Sequence, residues 1–141
     1  MALTLERTYR FSASHLYRRP DWSEEENVRQ FGRCANLPGH GHNYRLTLGV
    51  AGEPDPRTGF LVDLAELDRV VAEHILEVVD HRHLNEAIEE FGPGGAIPTS
   101  ENLTLWVRRR LEAALPAGAR LHSVRIAEDD DLAASWNAGP A

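Results

Sequence analysis

Two histidines separated by one glycine, His40-Gly41-His42, are the residues of this sequence best placed to do chemistry. At the start of a strand, residues two apart project from the same face, so both imidazoles can reach one ion. A third imidazole, His15, closes an alternating segment that begins near Leu3, and an antiparallel second strand would begin beside it. Three histidines with one open position form the ligand set of a catalytic zinc. The chain has seven histidines, so on spacing alone a chance pair in a loop is an equally open reading. Cys34 stands six positions before His40. Close to a cation its thiol would ionise more readily and act as base or nucleophile, with Arg33 adding to the effect. The alternative is a small buried side chain, but the polar neighbours Arg33 and Asn36 favour reactivity. Asp80-His81 can form a proton-transfer pair. Glu101 and Glu128, taken by themselves, read as a helix-dipole charge and a solvated strand end. His74, among Val70, Val71 and Val78, reads as a half-buried structural residue.

The elements that must position these groups follow from periodicity. Leu3 to His15 alternates as a strand with one apolar and one wet face. Arg18 to Gly41 is charged and irregular, a long loop with a short helical turn around Ser23 to Gln30. Tyr44, Leu46, Leu48 and Val50 mark a second strand directly after His42. Pro54 to Gly59 is turn chemistry, from which Phe60-Leu61-Val62 returns as a hairpin strand. Asp63, with Glu66 three residues on, caps a helix carrying Leu67, Val70, Val71, Ile75 and Val78. Between His81 and Pro98 the chain reads as loop. A second helix starts at Thr99-Ser100-Glu101 and stops at Pro116 and Gly118, and strands follow over Leu121–Glu128 and Leu132–Trp136. The expected class is α+β: a four-stranded antiparallel sheet with two helices on one face, in the order ββααββ.

The chain has 141 residues, 42% of them hydrophobic, which suits one domain spanning residues 1–141. A net charge of −7 argues against a surface built to neutralise nucleic acid. No apolar run approaches the roughly 20 residues that a membrane span needs, so no membrane partner is expected. Met1 to Arg10 lacks the layout of a secretory signal, and one cysteine excludes an internal disulfide, so a cytoplasmic location is expected.

Together, several segments resemble the 6-pyruvoyl-tetrahydropterin synthase family, over about Phe11 to Glu128. They are Phe11-Ser12-Ala13-Ser14-His15, Phe31-Gly32-Arg33-Cys34 followed after five residues by His40-Gly41-His42-Asn43-Tyr44, the turn Gly52 to Gly59, Leu61 to Leu67, Asp80-His81, and Thr99-Ser100-Glu101-Asn102. The resemblance implies a tunnelling fold, assembled into trimers and then homohexamers with active sites at subunit interfaces. It implies Zn2+ held by His15, His40 and His42, and proton transfer by Cys34, Asp80 and His81. It also implies a pterin anchor at Glu128, with Ser100 and Glu101 in the same pocket. The implied activity is that of a lyase that converts 7,8-dihydroneopterin triphosphate to 6-pyruvoyl-tetrahydropterin and needs no redox cofactor. Arg18, Arg19, Arg29 and Arg33 are candidates for the triphosphate. The rival activity is 6-carboxy-5,6,7,8-tetrahydropterin synthase of the queuosine pathway, whose loop between Cys and His-Gly-His is usually shorter. A rival of another class is a zinc-binding scaffold without chemistry.

Overall fold

The computed structural model describes residues 3–140. Two 13-residue strands, β1 (Leu3–His15) and β2 (His40–Gly52), form a long antiparallel ribbon whose register sets His15 opposite His40 and Phe11 opposite Tyr44. β2 therefore starts earlier than the sequence pattern indicates and includes both histidines. Gly39 makes this start possible. Its φ is 120°, and a Cβ there would lie 2.5 Å from the His15 carbonyl oxygen, so only glycine lets the chain enter this close to the end of β1.

Between the two strands, Ser23 caps α1 (Glu24–Phe31) by accepting from the Glu26 amide, and a single 3₁₀ turn, Gly32–Ala35, carries Cys34. After β2, Asp63 accepts from the Glu66 amide and starts α2 (Leu64–Val71). The helix widens into a π turn over Ala72–Leu76 and ends as α3 (Glu77–Val79). The His74 carbonyl in that wide turn accepts from Arg110 Nε at 2.8 Å, and His74 itself is half-buried, as its neighbours suggested. The chain continues through β3 (Arg82–His83), α4 (Leu84–Ala87), α5 (Ser100–Glu112), β4 (Arg120–Ala127) and β5 (Ala133–Asn137). No helix among the described residues is long and apolar enough to cross a membrane.

The α+β class and the placement of helices over one sheet face hold, but the expected four-stranded antiparallel sheet and the order ββααββ do not. The sheet has five strands in the order β3-β1-β2-β4-β5, and β3 runs parallel to β1. Phe60–Val62 is not a strand. β1 and β4 already occupy both edges of β2, which leaves no ladder for a returning segment. Instead the turn closes on itself, with the Gly59 amide on Asp55 O at 2.7 Å and the Asp55 amide on Phe60 O at 2.9 Å. Residues 81–98, expected as loop, hold β3 and α4.

The core lies between the inner sheet face and the helices. Leu46, Leu48, Val124 and Ile126 from the sheet meet Leu67, Val71, Ile75, Leu103, Val107 and Leu111 from the helices, all fully buried. Nonpolar burial of this kind supplies most of the folding free energy. It also makes the inner face of β1 and β2 a rigid mount for whatever their ends carry.

Candidate active site

The mount ends in imidazoles. His15, His40 and His42 all extend from the inner, core-lining side of the β1–β2 ribbon, and their ring centroids stand 4.8, 4.9 and 5.0 Å apart. His15 Nε2 and His40 Nε2 approach to 3.2 Å. The Tyr44 hydroxyl lies 2.9 Å from His15 Nδ1, which leaves the Nε2 of His15 free to face its neighbours. His15 is completely buried, and burial, followed by the neighbouring His42, His40 and His83, lowers its pKa to about 3. At neutral pH it is an uncharged ring with a lone pair available. His42 Nε2 is a buried nitrogen with no hydrogen-bond partner among the described residues. Leaving such an atom unsatisfied costs about 1–3 kcal/mol. A cation shared by the three rings would remove that cost, and three imidazole donors with an open side match zinc. The rings of the three sequence-predicted metal residues thus cluster, with His15 shared between two groups of close ligand atoms rather than all three imidazoles forming one.

Two further groups flank the triangle. The Cys34 sulfur lies 4.0 Å from His40 Nε2, and Glu128 Oε2 lies 3.9 Å from His42 Nε2. Ligand atoms of His15, Cys34 and His40 fall within 4.8 Å of one another, as do those of His15, His42 and Glu128. The expectation that Arg33 depresses the Cys34 thiol is not met. Arg33 is exposed, and burial, then the Glu128 charge, push the thiol up from its ordinary value. Glu128 is mostly enclosed, and Ser100, at the start of α5, donates to its Oε2 at 3.3 Å. The acidic run after it points elsewhere: Asp129 Oδ1 accepts from the amides of Asp131 and Leu132, and Asp130 pairs with Arg45. Glu101 is exposed on the first turn of α5.

Asp80 and His81 stand apart from this cluster within one chain. Asp80 Oδ1 accepts from the Ser12 amide at 2.9 Å and lies 2.9 Å from His81 Nδ1, while the His81 amide donates to Ser12 O at 2.6 Å. These contacts hold His81 at φ 59°, a left-handed conformation rare for a residue with a Cβ and a hint of function. Its side chain is 81% exposed and borders an open groove of about 410 Å³ together with Ser12, Ser14, His42, Asn43 and Arg82. No hydrogen bond or ion pair joins Asp80 or His81 to Cys34 or to the three histidines among the described residues.

A model of the 6-pyruvoyl tetrahydropterin synthase family matches residues 4–138. The chain belongs to that family. It is 37% identical over 127 residues to the human 6-pyruvoyl tetrahydrobiopterin synthase, covering 90% of this chain and 86% of that protein. The solved structure of the Caenorhabditis elegans 6-pyruvoyl tetrahydropterin synthase superposes with a TM-score of 0.88 at 33% identity, covering 99% of this chain and 97% of the other. A Pyrococcus furiosus dihydroneopterin monophosphate aldolase is 27% identical over 122 residues, 86% of each chain.

The four arginines expected to serve a triphosphate divide in two. Arg18 is paired with Glu24 and donates to the Ala35 carbonyl at 2.5 Å, and Arg19 pairs with Asp21 and lies over the Trp22 ring. Arg29 and Arg33 have no carboxylate partner among the described residues. Tyr17 and Tyr44 are site residues that the sequence pattern did not single out. Tyr17 packs its ring 4.5 Å from that of His15. Tyr44 could have been found by strand parity, since it lies two residues beyond His42 on the same face.

Proposed function

We propose that this chain is a zinc-dependent 6-pyruvoyl-tetrahydropterin synthase, a carbon–oxygen lyase acting on 7,8-dihydroneopterin triphosphate. The observation that supports this most is the triangle of imidazoles with an unpartnered buried nitrogen, flanked by a thiol and a carboxylate. In the reaction the C–O bond to triphosphate breaks, triphosphate departs, and hydrogens shift within the side chain without an external oxidant. Held by His15, His40 and His42, zinc would supply a Lewis acid for the side-chain oxygens and a positive charge beside Cys34 that counters the upward push of burial.

Cys34, as thiolate, takes a proton from a side-chain carbon. Glu128 accepts from the pterin N–H groups and so decides which carbon faces the sulfur. Ser100 orients that carboxylate, and Glu101 borders the same pocket. His81, held by Asp80, shuttles protons to and from the side chain. His81 makes no hydrogen bond or ion pair with its own Cys34 among the described residues, and it serves the site of another copy in the homohexamer of two trimers that the family resemblance implies. The need for a reduced thiol assigns the enzyme to the cytoplasm.

The test is to incubate zinc-loaded protein with 7,8-dihydroneopterin triphosphate and identify the product. A pyruvoyl side chain with free triphosphate is expected. A carboxyl product with released acetaldehyde would assign the carboxytetrahydropterin synthase activity instead, and zinc-loaded protein without turnover would be a scaffold.

A further inference from the structure

We infer that Arg18 is a positioning residue for the Cys34 thiol. The thiol is carried by a single 3₁₀ turn, Gly32–Ala35, too short to satisfy its own last carbonyls. Two consecutive residues just beyond β1 satisfy them. The Tyr17 amide donates to Cys34 O at 2.8 Å, and Arg18 Nη1 donates to Ala35 O at 2.5 Å. Both Nη1 and Nη2 of the guanidinium are also held by the Glu24 carboxylate at the start of α1. Arg18 therefore ties the end of β1, the start of α1 and the Cys34 turn at one point. Its side chain is only 20% exposed and Ala35 is fully buried, so this charge-assisted hydrogen bond has little competition from water. Tyr17 adds a steric stop, its ring standing 6.0 Å from that of Phe31, the residue that leads into the turn.

A cysteine sulfur is set by a single side-chain torsion, so the main chain of the turn largely decides where it sits relative to His40. Without the Arg18 donor, Ala35 O is a buried acceptor with no partner, and the turn must shift to hydrate it. A displacement of about 1 Å in a catalytic group costs on the order of 10²-fold in rate. Arg18 was also a candidate triphosphate ligand, and the two roles leave different kinetic signatures: positioning lowers kcat, whereas phosphate binding raises KM.

The inference rests on Cys34 being the proton-transfer base, so the experiment measures kcat, KM and zinc content for R18M, R18K, E24Q and C34A side by side. R18M is expected to lose roughly tenfold or more in kcat with KM within about twofold and one zinc per chain. R18K, which keeps a cationic donor, regains most of the rate, and E24Q shows a smaller loss of the same kind. A raised KM with unchanged kcat in R18M overturns the inference, as does R18K no better than R18M. If R18M does not fold, R18K and E24Q decide: wild-type kcat in E24Q overturns it. Inactive C34A beside wild-type R18M rejects the inference alone, whereas fully active C34A rejects the thiol's role and the inference with it.

Discussion

Tyr44 decides which ring nitrogen His15 presents to its neighbours. Its hydroxyl meets His15 Nδ1 at 2.9 Å and leaves Nε2 for a metal. Losing such an outer contact typically costs about 10–100-fold in metal affinity. Y44F should therefore bind zinc that much more weakly in a competition with a chromogenic chelator, while its fold, read by far-UV circular dichroism, is unchanged. Glu128 makes a separable contribution. It lies close to His42 and accepts from Ser100. In E128A, calorimetric titration should show pterin binding lost while zinc content stays at the wild-type value; retained pterin binding would move the anchor to another residue.

At the scale of elements, the site depends on how β1 and β2 are held in register and covered. On β1, Arg7 and Tyr9 both bind Asp68 of α2: Arg7 Nη2 to Oδ2 at 2.8 Å and the Tyr9 hydroxyl to Oδ1 at 2.7 Å. The hydrogen bonds from Arg7, then from Tyr9, hold the Asp68 carboxyl below its ordinary range. A lowered folded-state pKa means that the contribution is present above the unfolded value of about 4 and is lost as pH falls through the folded one. D68N should therefore lower Tm near pH 7, and the gap to the parent should close in melts run below about pH 4. The ribbon, the cap at Asp63 and both main helices were legible because alternation, capping residues and helical spacing are local signals. β3 and α4, at two and four residues, carry no period to read. Phe60–Val62 has the look of a hairpin strand because sequence does not show that both edges of β2 are taken. His15, His40 and His42 were legible as one set because strand parity and antiparallel pairing bring them together. The clamp on Cys34 was not, since it depends on where a long Arg18 side chain ends up.

For the molecule as a whole, the separation of Cys34 from Asp80 and His81 is the main structural consequence. A single chain brings His15, His40 and His42 close to Cys34 and Glu128, with no hydrogen bond or ion pair among the described residues from these groups to Asp80 or His81. If the proposed assembly joins them across subunits, C34A and H81A are each inactive alone, but unfolding, mixing and refolding them together restores part of the activity. Mixed assemblies that stay inactive would mean that the pair acts on its own chain or not at all. All of this presupposes that three imidazoles from facing strand ends hold one cation, and metal analysis of the purified protein tests that most directly. The account predicts one zinc per chain in the parent, lost in each of H15A, H40A and H42A and retained in C34A. A parent that binds no metal after zinc loading, or an H42A variant that keeps it, would contradict the account.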